Sequence, residues 1–189
     1  MSATPSTSAS LWQKFGQKLS IGAALFGVSG LLYAQSAEAV RLSNGQMAFE
    51  QPPSLVEANA SSSTPDAPAT YYFTIEVPEN AGEPLGAVTI DLHEGVEEIS
   101  YKTDAIQAFT GDRDEIALAS IGGMTDDPDA VTVEFDTPVA PGNTVTVALK
   151  SKQNPGLGGI YLFGVTAYPA GEQSQGQFLG FGRLRFVDR

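Results

Sequence analysis

From Val40 onward the apolar residues of this chain recur at every second position, and no segment of helical length carries a 3.6-residue apolar stripe. Successive side chains of an extended strand point to opposite faces, so this period builds half-buried sheet and excludes a helical bundle. "VTVEFD" sets Val131, Val133 and Phe135 against Thr132, Glu134 and Asp136, and "TVTVALK" aligns Val145, Val147 and Leu149. "YYFTIEV" groups Tyr71, Phe73, Ile75 and Val77, and "AVTIDLH" groups Val88, Ile90 and Leu92. His93, in phase with Asp91, falls on the polar side. Between the runs stand "PENAGEP", "GGMTDDPD", "TPVAPGN", "KQNPGLGG" and "PAGEQSQG", whose residues supply the backbone angles that chain reversals need. Many short strands at such spacing predict an all-β fold, a single antiparallel β-sandwich.

One strand narrows the architecture. "GIYLFGVTA" (159–167) carries Gly-x-Tyr-x-Phe-x-Val, similar to the strand of immunoglobulin-like domains that bears the tyrosine corner, with Phe163 where a cysteine stands there. That resemblance implies that Tyr161 hydrogen-bonds back to its own corner while Phe163 and Val165 fill the core. Since the chain has no cysteine, the apolar core must hold such a sandwich without disulfides. "VRLSNGQMAF" reads as a small hairpin over Asn44-Gly45. "EANASSSTPDAPA" (57–69), poor in large apolar residues and rich in Ser, Pro and Ala, reads as a flexible loop.

Ahead of Val40 lies a different kind of sequence. Lys14 and Lys18 precede the apolar run "LSIGAALFGVSGLLY" (19–33), and "AEA" (37–39) follows it. A charged start, an apolar core too short for the roughly 20 residues of a bilayer span, and an A-x-A signal predict a signal peptide over 1–39, cut before Val40. An uncleaved anchor and an organelle transit sequence are the alternatives. The first reading makes 40–189 a single exported domain with no stable membrane span, placed in the periplasm, the cell envelope or outside the cell. With 22 acidic residues against 10 basic ones, the formal net charge of -12 disfavours nucleic acid and anionic lipid as partners.

Few residues could carry catalysis. His93 is the single histidine, and no G-x-S-x-G elbow accompanies it. Carboxylates at Glu94, Glu97 and Glu98, or at Asp112, Asp114 and Glu115, leave a two-carboxylate hydrolase as an alternative reading. His93, Met47 and Met124 make a poor set for copper or zinc. Calcium prefers oxygen, and "TDDPDA" offers Asp126, Asp127 and Asp129 as candidate ligands, although the glycine and terminal glutamate of a calcium loop are missing. No other cofactor is implied. Arg183 and Arg185 lie two apart, hence on one strand face, and read as members of cross-strand charge pairs.

"GQFLGFGRLRF" (176–186) looks at first like a phosphate-cradling glycine loop. Its order is G-x-x-x-G-x-G, no helix follows, and the Gly-Lys-Ser/Thr of a P-loop is absent. Period two makes it a closing strand, with Phe178, Gly180, Gly182, Leu184 and Phe186 on the apolar face and Leu179, Phe181, Arg183 and Arg185 opposite. Gly180 and Gly182 then leave a notch for an aromatic ring, Tyr161 or Phe163, or else mark a bulge.

"YYFTIEVPENAGEPLGAVTI", "HEGVEEI", "VTVEFDTPVAPGNTVTVALKSKQNPGLGGIYLFGVTAYPAGE" and "GQFLGFGRLRF" together resemble a family of exported cyanobacterial proteins with a domain of unknown function, over roughly residues 45–187. The resemblance implies a secreted or envelope-associated protein and transfers no activity, cofactor or catalytic residue. The chain therefore reads as a noncatalytic exported β-domain that binds an envelope protein or polysaccharide. An acidic calcium-binding module and a carboxylate-based hydrolase are the alternatives.

Overall fold

The computed structural model describes residues 40–41, 45–124 and 127–187, so the candidate leader lies outside the described residues. A short antiparallel pair comes first, β1 (Val40–Arg41) with β2 (Met47–Ala48), with Val40 opposite Ala48 and Arg41 opposite Met47; Asn44 of the expected Asn44-Gly45 turn lies outside the described residues. Ten further strands follow. They are β3 (Ser54–Ala60), β4 (Thr70–Glu76), β5 (Leu85–Glu94), β6 (Gln107–Thr110), β7 (Glu115–Ile116), β8 (Leu118–Met124), β9 (Asp127–Val139), β10 (Thr144–Lys150), β11 (Gly159–Pro169) and β12 (Gln177–Phe186). They form two antiparallel sheets of five strands, ordered β3-β4-β10-β6-β7 and β12-β11-β5-β9-β8. Among the described residues the only helical element is a 3-10 turn at Thr103–Ala105.

The topology is immunoglobulin-like. β3-β4-β10-β6 occupy the A-B-E-D positions of one sheet and β12-β11-β5 the G-F-C positions of the other. The β8–β9 hairpin is added between the D and E positions and joins the sheet beside β5.

Alternation places the core where the sequence puts it. Tyr71, Phe73 and Ile75 of β4 and Val145, Val147 and Leu149 of β10 are fully buried, facing Val88 and Ile90 of β5 and Tyr161, Phe163 and Val165 of β11. Rings interlock across the two layers: Phe163 lies 5.7 Å from Tyr71 and 5.6 Å from Phe73, and Phe186 lies 5.7 Å from Tyr71. Tilted and edge-on pairs of this kind add to the burial of the rings themselves.

The stretch at 57–69 departs from its expectation. Glu57–Ala60 belong to β3 and pair with β4, Ala58 opposite Phe73 and Ala60 opposite Tyr71. Small residues are what fit there, because the large rings of β4 and the close approach of β12 leave little room. The remainder is fastened by Asn154, which is 0% exposed. Its Nδ2 donates to the carbonyls of Ser62 at 3.0 Å and Thr64 at 2.8 Å, and its Oδ1 accepts from the Tyr71 hydroxyl at 2.9 Å. The Asn154 and Val187 amides donate to Ala67 and Ser63, so this loop is knitted to the segment before β11 and to the end of β12. Composition alone reads such a segment as loose because its partners are remote in sequence.

Candidate functional site

Val88, Ile90 and Val133 point into the core, so Thr89, Asp91 and Thr132 point outward from the β12-β11-β5-β9-β8 sheet. Register assembles these outer residues into rows. Thr89 stands opposite both Thr132 and Thr166, Ala87 opposite Glu134 and Tyr168, and Gly164 opposite both Asp91 and Phe181.

Gly164 leaves β11 bare in the middle of that face. A Cβ there would lie 2.7 and 2.8 Å from the Asp91 carboxylate oxygens, so only glycine lets this carboxylate lie over the strand. His93 of β5 reaches across β11 to stack on Phe181 of β12, with ring centroids 4.6 Å apart and planes inclined by 32°. Phe178 meets Phe181 edge-on at 5.0 Å, and the two phenylalanines are 50% and 46% exposed. His93, read as a solvent-facing residue, is indeed exposed and holds one side of an aromatic cluster.

A hollow of about 320 Å³ opens farther along the same face. Thr89 and Thr132, whose hydroxyls are 2.8 Å apart, lie at its floor, and Glu134, Pro138 and Tyr168 stand around it. Glu134 accepts from the Ser120 hydroxyl at 2.9 Å. Despite its outward direction Thr89 is only 4% exposed, and residues of the 169–174 turn border the same hollow. That turn is braced twice: the Ala170 amide donates to Pro84 at 2.9 Å, and Met47 of β2 exchanges backbone bonds with Gln173 and Gln175 at 2.7 and 2.8 Å. A Cβ on Gly86 would come within 2.8 Å of the Ala170 Cα, so glycine permits the turn to close down.

The glycines of "GQFLGFGRLRF" have three separate tasks. A Cβ at Gly176 would lie 2.7 Å from the Tyr168 ring, so this position seats the wall of the hollow. Gly180 adopts φ +122 with nothing within 4 Å of a Cβ, at a bulge where Val165 pairs with Gly180 and Thr166 with Phe178. Leu179 is the extra residue, and the one-residue slip reverses the phase of the strand. Phe178 therefore faces outward and Leu179 packs against the core, a correction to the strict period-two reading. Gly182 keeps the expected phase and forms the notch, but the ring across it is Phe73 of the opposite sheet. A Cβ there would stand 2.8 Å from both Phe73 Cε1 and Ala58 Cβ, which replaces Tyr161 and Phe163 as the expected occupants.

Tyr161 is buried, and its hydroxyl donates to the Leu157 carbonyl at 3.1 Å, four residues upstream. Glu97 holds the same turn from the other side, accepting from the Gly156 and Leu157 amides at 2.6 and 3.1 Å. Burial raises the Tyr161 phenol above its ordinary value, and the nearby Glu97 charge adds to this. Of the carboxylates read as a hydrolase pair, Glu97 thus fastens a turn, Glu94 lies exposed at the end of β5, and Glu98 borders a separate hollow with Asp66 and Lys152. Asp126 lies outside the described residues. Asp127 and Asp129 belong to the start of β9 rather than to a turn. Arg183 and Arg185 are exposed on the outer face of β12 and border an open hollow with Ile160.

A family model described as "Protein of unknown function (DUF2808)" matches residues 46–186. No curated protein matches the sequence. Among solved structures, the collagen-binding domain of a Staphylococcus aureus adhesin is 8% identical, with 69% of this chain and 94% of that one covered and a TM-score of 0.38. The collagen-binding subdomain of the Enterococcus faecalis surface protein ACE is 10% identical over 72% and 95%, with a TM-score of 0.41. BslA, a bacterial hydrophobin, is 15% identical over 72% and 95%, with a TM-score of 0.40. None of these is near enough in sequence or geometry to pass on a ligand.

Proposed function

Because this chain belongs to the DUF2808 family, whose function is unknown, its role has to be argued from its own surface, and we propose that it is an exported, noncatalytic binding domain. Its working surface is the outer face of the β12-β11-β5-β9-β8 sheet. The observation that carries this reading is the cluster of Phe178, Phe181 and His93, two half-exposed phenylalanines held against one another on β12 with the histidine of β5 stacked on the second. Exposed aromatics fixed on a rigid scaffold are the usual anchors of recognition surfaces, since their burial by a partner loses little conformational freedom. Burying the exposed half of each ring contributes about 1 kcal/mol. Export is supported by the charged start, short apolar core and A-x-A signal of residues 1–39, and it sets the partner in the envelope or outside the cell.

Fractionation of native cells tests the location, and recovery from the cytoplasm would remove export. Pull-down from envelope fractions tests the surface. Phe178→Ala combined with Phe181→Ala is expected to release components that the unaltered chain retains. An identical retained set would sink the assignment of this face.

A further inference from the structure

We infer that the partner of this face is an uncharged polysaccharide, with one sugar ring seated in the hollow between Tyr168 and Pro138. This inference deepens the binding-domain reading and rests on it. The hollow, at about 320 Å³, stands at the small end of the roughly 300–1,000 Å³ typical of ligand sites and suits one ring of a chain. Its chemistry is mixed in the way a sugar is mixed. The Tyr168 and Pro138 side chains offer flat apolar surfaces for ring C–H groups, and the hydroxyls of Thr132 and Ser174 and the Glu134 carboxylate border the same space. A hydroxyl has one donor and two acceptor sites, and a carboxylate accepts at about four, so the Thr89–Thr132 and Ser120–Glu134 bonds leave capacity for a ligand's hydroxyls.

Charge and shape select within that class. Among the described residues no lysine or arginine lines the hollow, Glu134 is in it and Asp91 lies farther along the strip, and the chain as a whole carries -12. Uronates and sulfates are repelled by such a field. A protein partner would have to desolvate these carboxylates near the middle of its contact, where interfaces are depleted of charge, whereas sugar hydroxyls donate to them. Along β11 the outward positions Tyr168, Thr166 and Gly164 extend about 13 Å at the rise of a strand, toward Phe178 and Phe181, so the surface is longer than one ring and fits a polymer. The bonds from Ala170 to Pro84, from Met47 to Gln173 and from Gln175 to Met47 hold the 169–174 turn in place before any ligand arrives, which limits the ordering cost of binding.

The test is a glycan array of neutral and acidic oligosaccharides probed with the full chain, followed by affinity electrophoresis through gels holding the matching polymer or alginate. Neutral glycans are expected to bind, with retention unchanged between low and high salt. Tyr168→Ala should weaken retention by about fivefold, the low end of what ring stacking on an aromatic contributes. Glu134→Gln, a variant that leaves the core intact, should weaken it as well, while Arg183→Gln should not; melting curves certify folding of each. Binding of acidic glycans alone, abolished by salt and by Arg183→Gln, overturns the inference and spares the binding domain. Absence of any glycan binding, alongside an envelope protein retained through Phe181, does the same. Retention of nothing overturns both.

Discussion

The two faces of the β12-β11-β5-β9-β8 sheet are built from alternate residues of the same strands and follow different rules. On the inner face Val88, Ile90, Val133, Phe163 and Val165 are sealed from water, and what matters at each position is volume and shape. On the outer face Thr89, Asp91, Gly164 and Thr166 stand in the same registers, and what matters is which neighbours each one admits. The faces are nonetheless coupled. His93 can reach Phe181 across β11 only because the packing beneath keeps the three strands in one fixed alignment. The inner face supplies rigidity, and the outer face uses it.

The largest break in this comparison should come from Phe163→Ala, which empties the space between Tyr71 and Phe73. Chemical denaturation should show a loss of about 3–5 kcal/mol, and a loss below about 1 kcal/mol would mean that the site collapses without needing the ring. Gly182→Ala should follow at about 1–3 kcal/mol through overpacking against Phe73. Adding Phe73→Leu should relieve part of it, the contact with Ala58 Cβ remaining. Gly180→Ala, strained by its backbone at φ +122 with open space around it, should gain nothing from the same second change. Equal relief of both would erase the distinction between a packed and a bulged glycine.

Titration sharpens the contrast next. Burial pushes the Tyr71 phenol from 10.0 up to about 12. The folded chain then keeps this proton longer than the unfolded one, so the stability contributed is intact below pH 10 and drains away as pH rises toward 12. Urea midpoints measured across that window should fall, and flat midpoints would count against the buried phenol. Phe181→Ala should have the smallest effect on folding, within about 0.5 kcal/mol, because its ring is half-exposed on the outer face and lies outside the core. A larger loss would make the outer cluster part of the fold rather than a surface for use.

The inner face was legible in the sequence because period two writes it directly: Val131, Val133 and Phe135 of β9 and Val145, Val147 and Leu149 of β10 sit where alternation puts them. β3 was not, since Ala58 and Ala60 carry no hydrophobic signal of their own and are small to suit the rings opposite. The slip at Gly180 left only a glycine as its mark, and one inserted residue was enough to turn Phe178 outward. The outer cluster depends on register among β5, β11 and β12, and the hollow on β2 bracing a turn more than a hundred residues later. Neither relation is encoded within any one segment.

Asn154 has a further consequence, for how the protein ages. Asparagines deteriorate when the backbone nitrogen of the following residue attacks the side-chain amide and closes a cyclic imide. Here the following residue is Pro155, whose nitrogen carries no hydrogen to give up. The asparagine that joins Ser62, Thr64 and Tyr71 is thereby closed to that route, whereas Asn44, followed by Gly45, sits in the sequence context most open to it. Chemical wear over a long service life should therefore begin in the first hairpin and leave the knot beneath the sandwich intact.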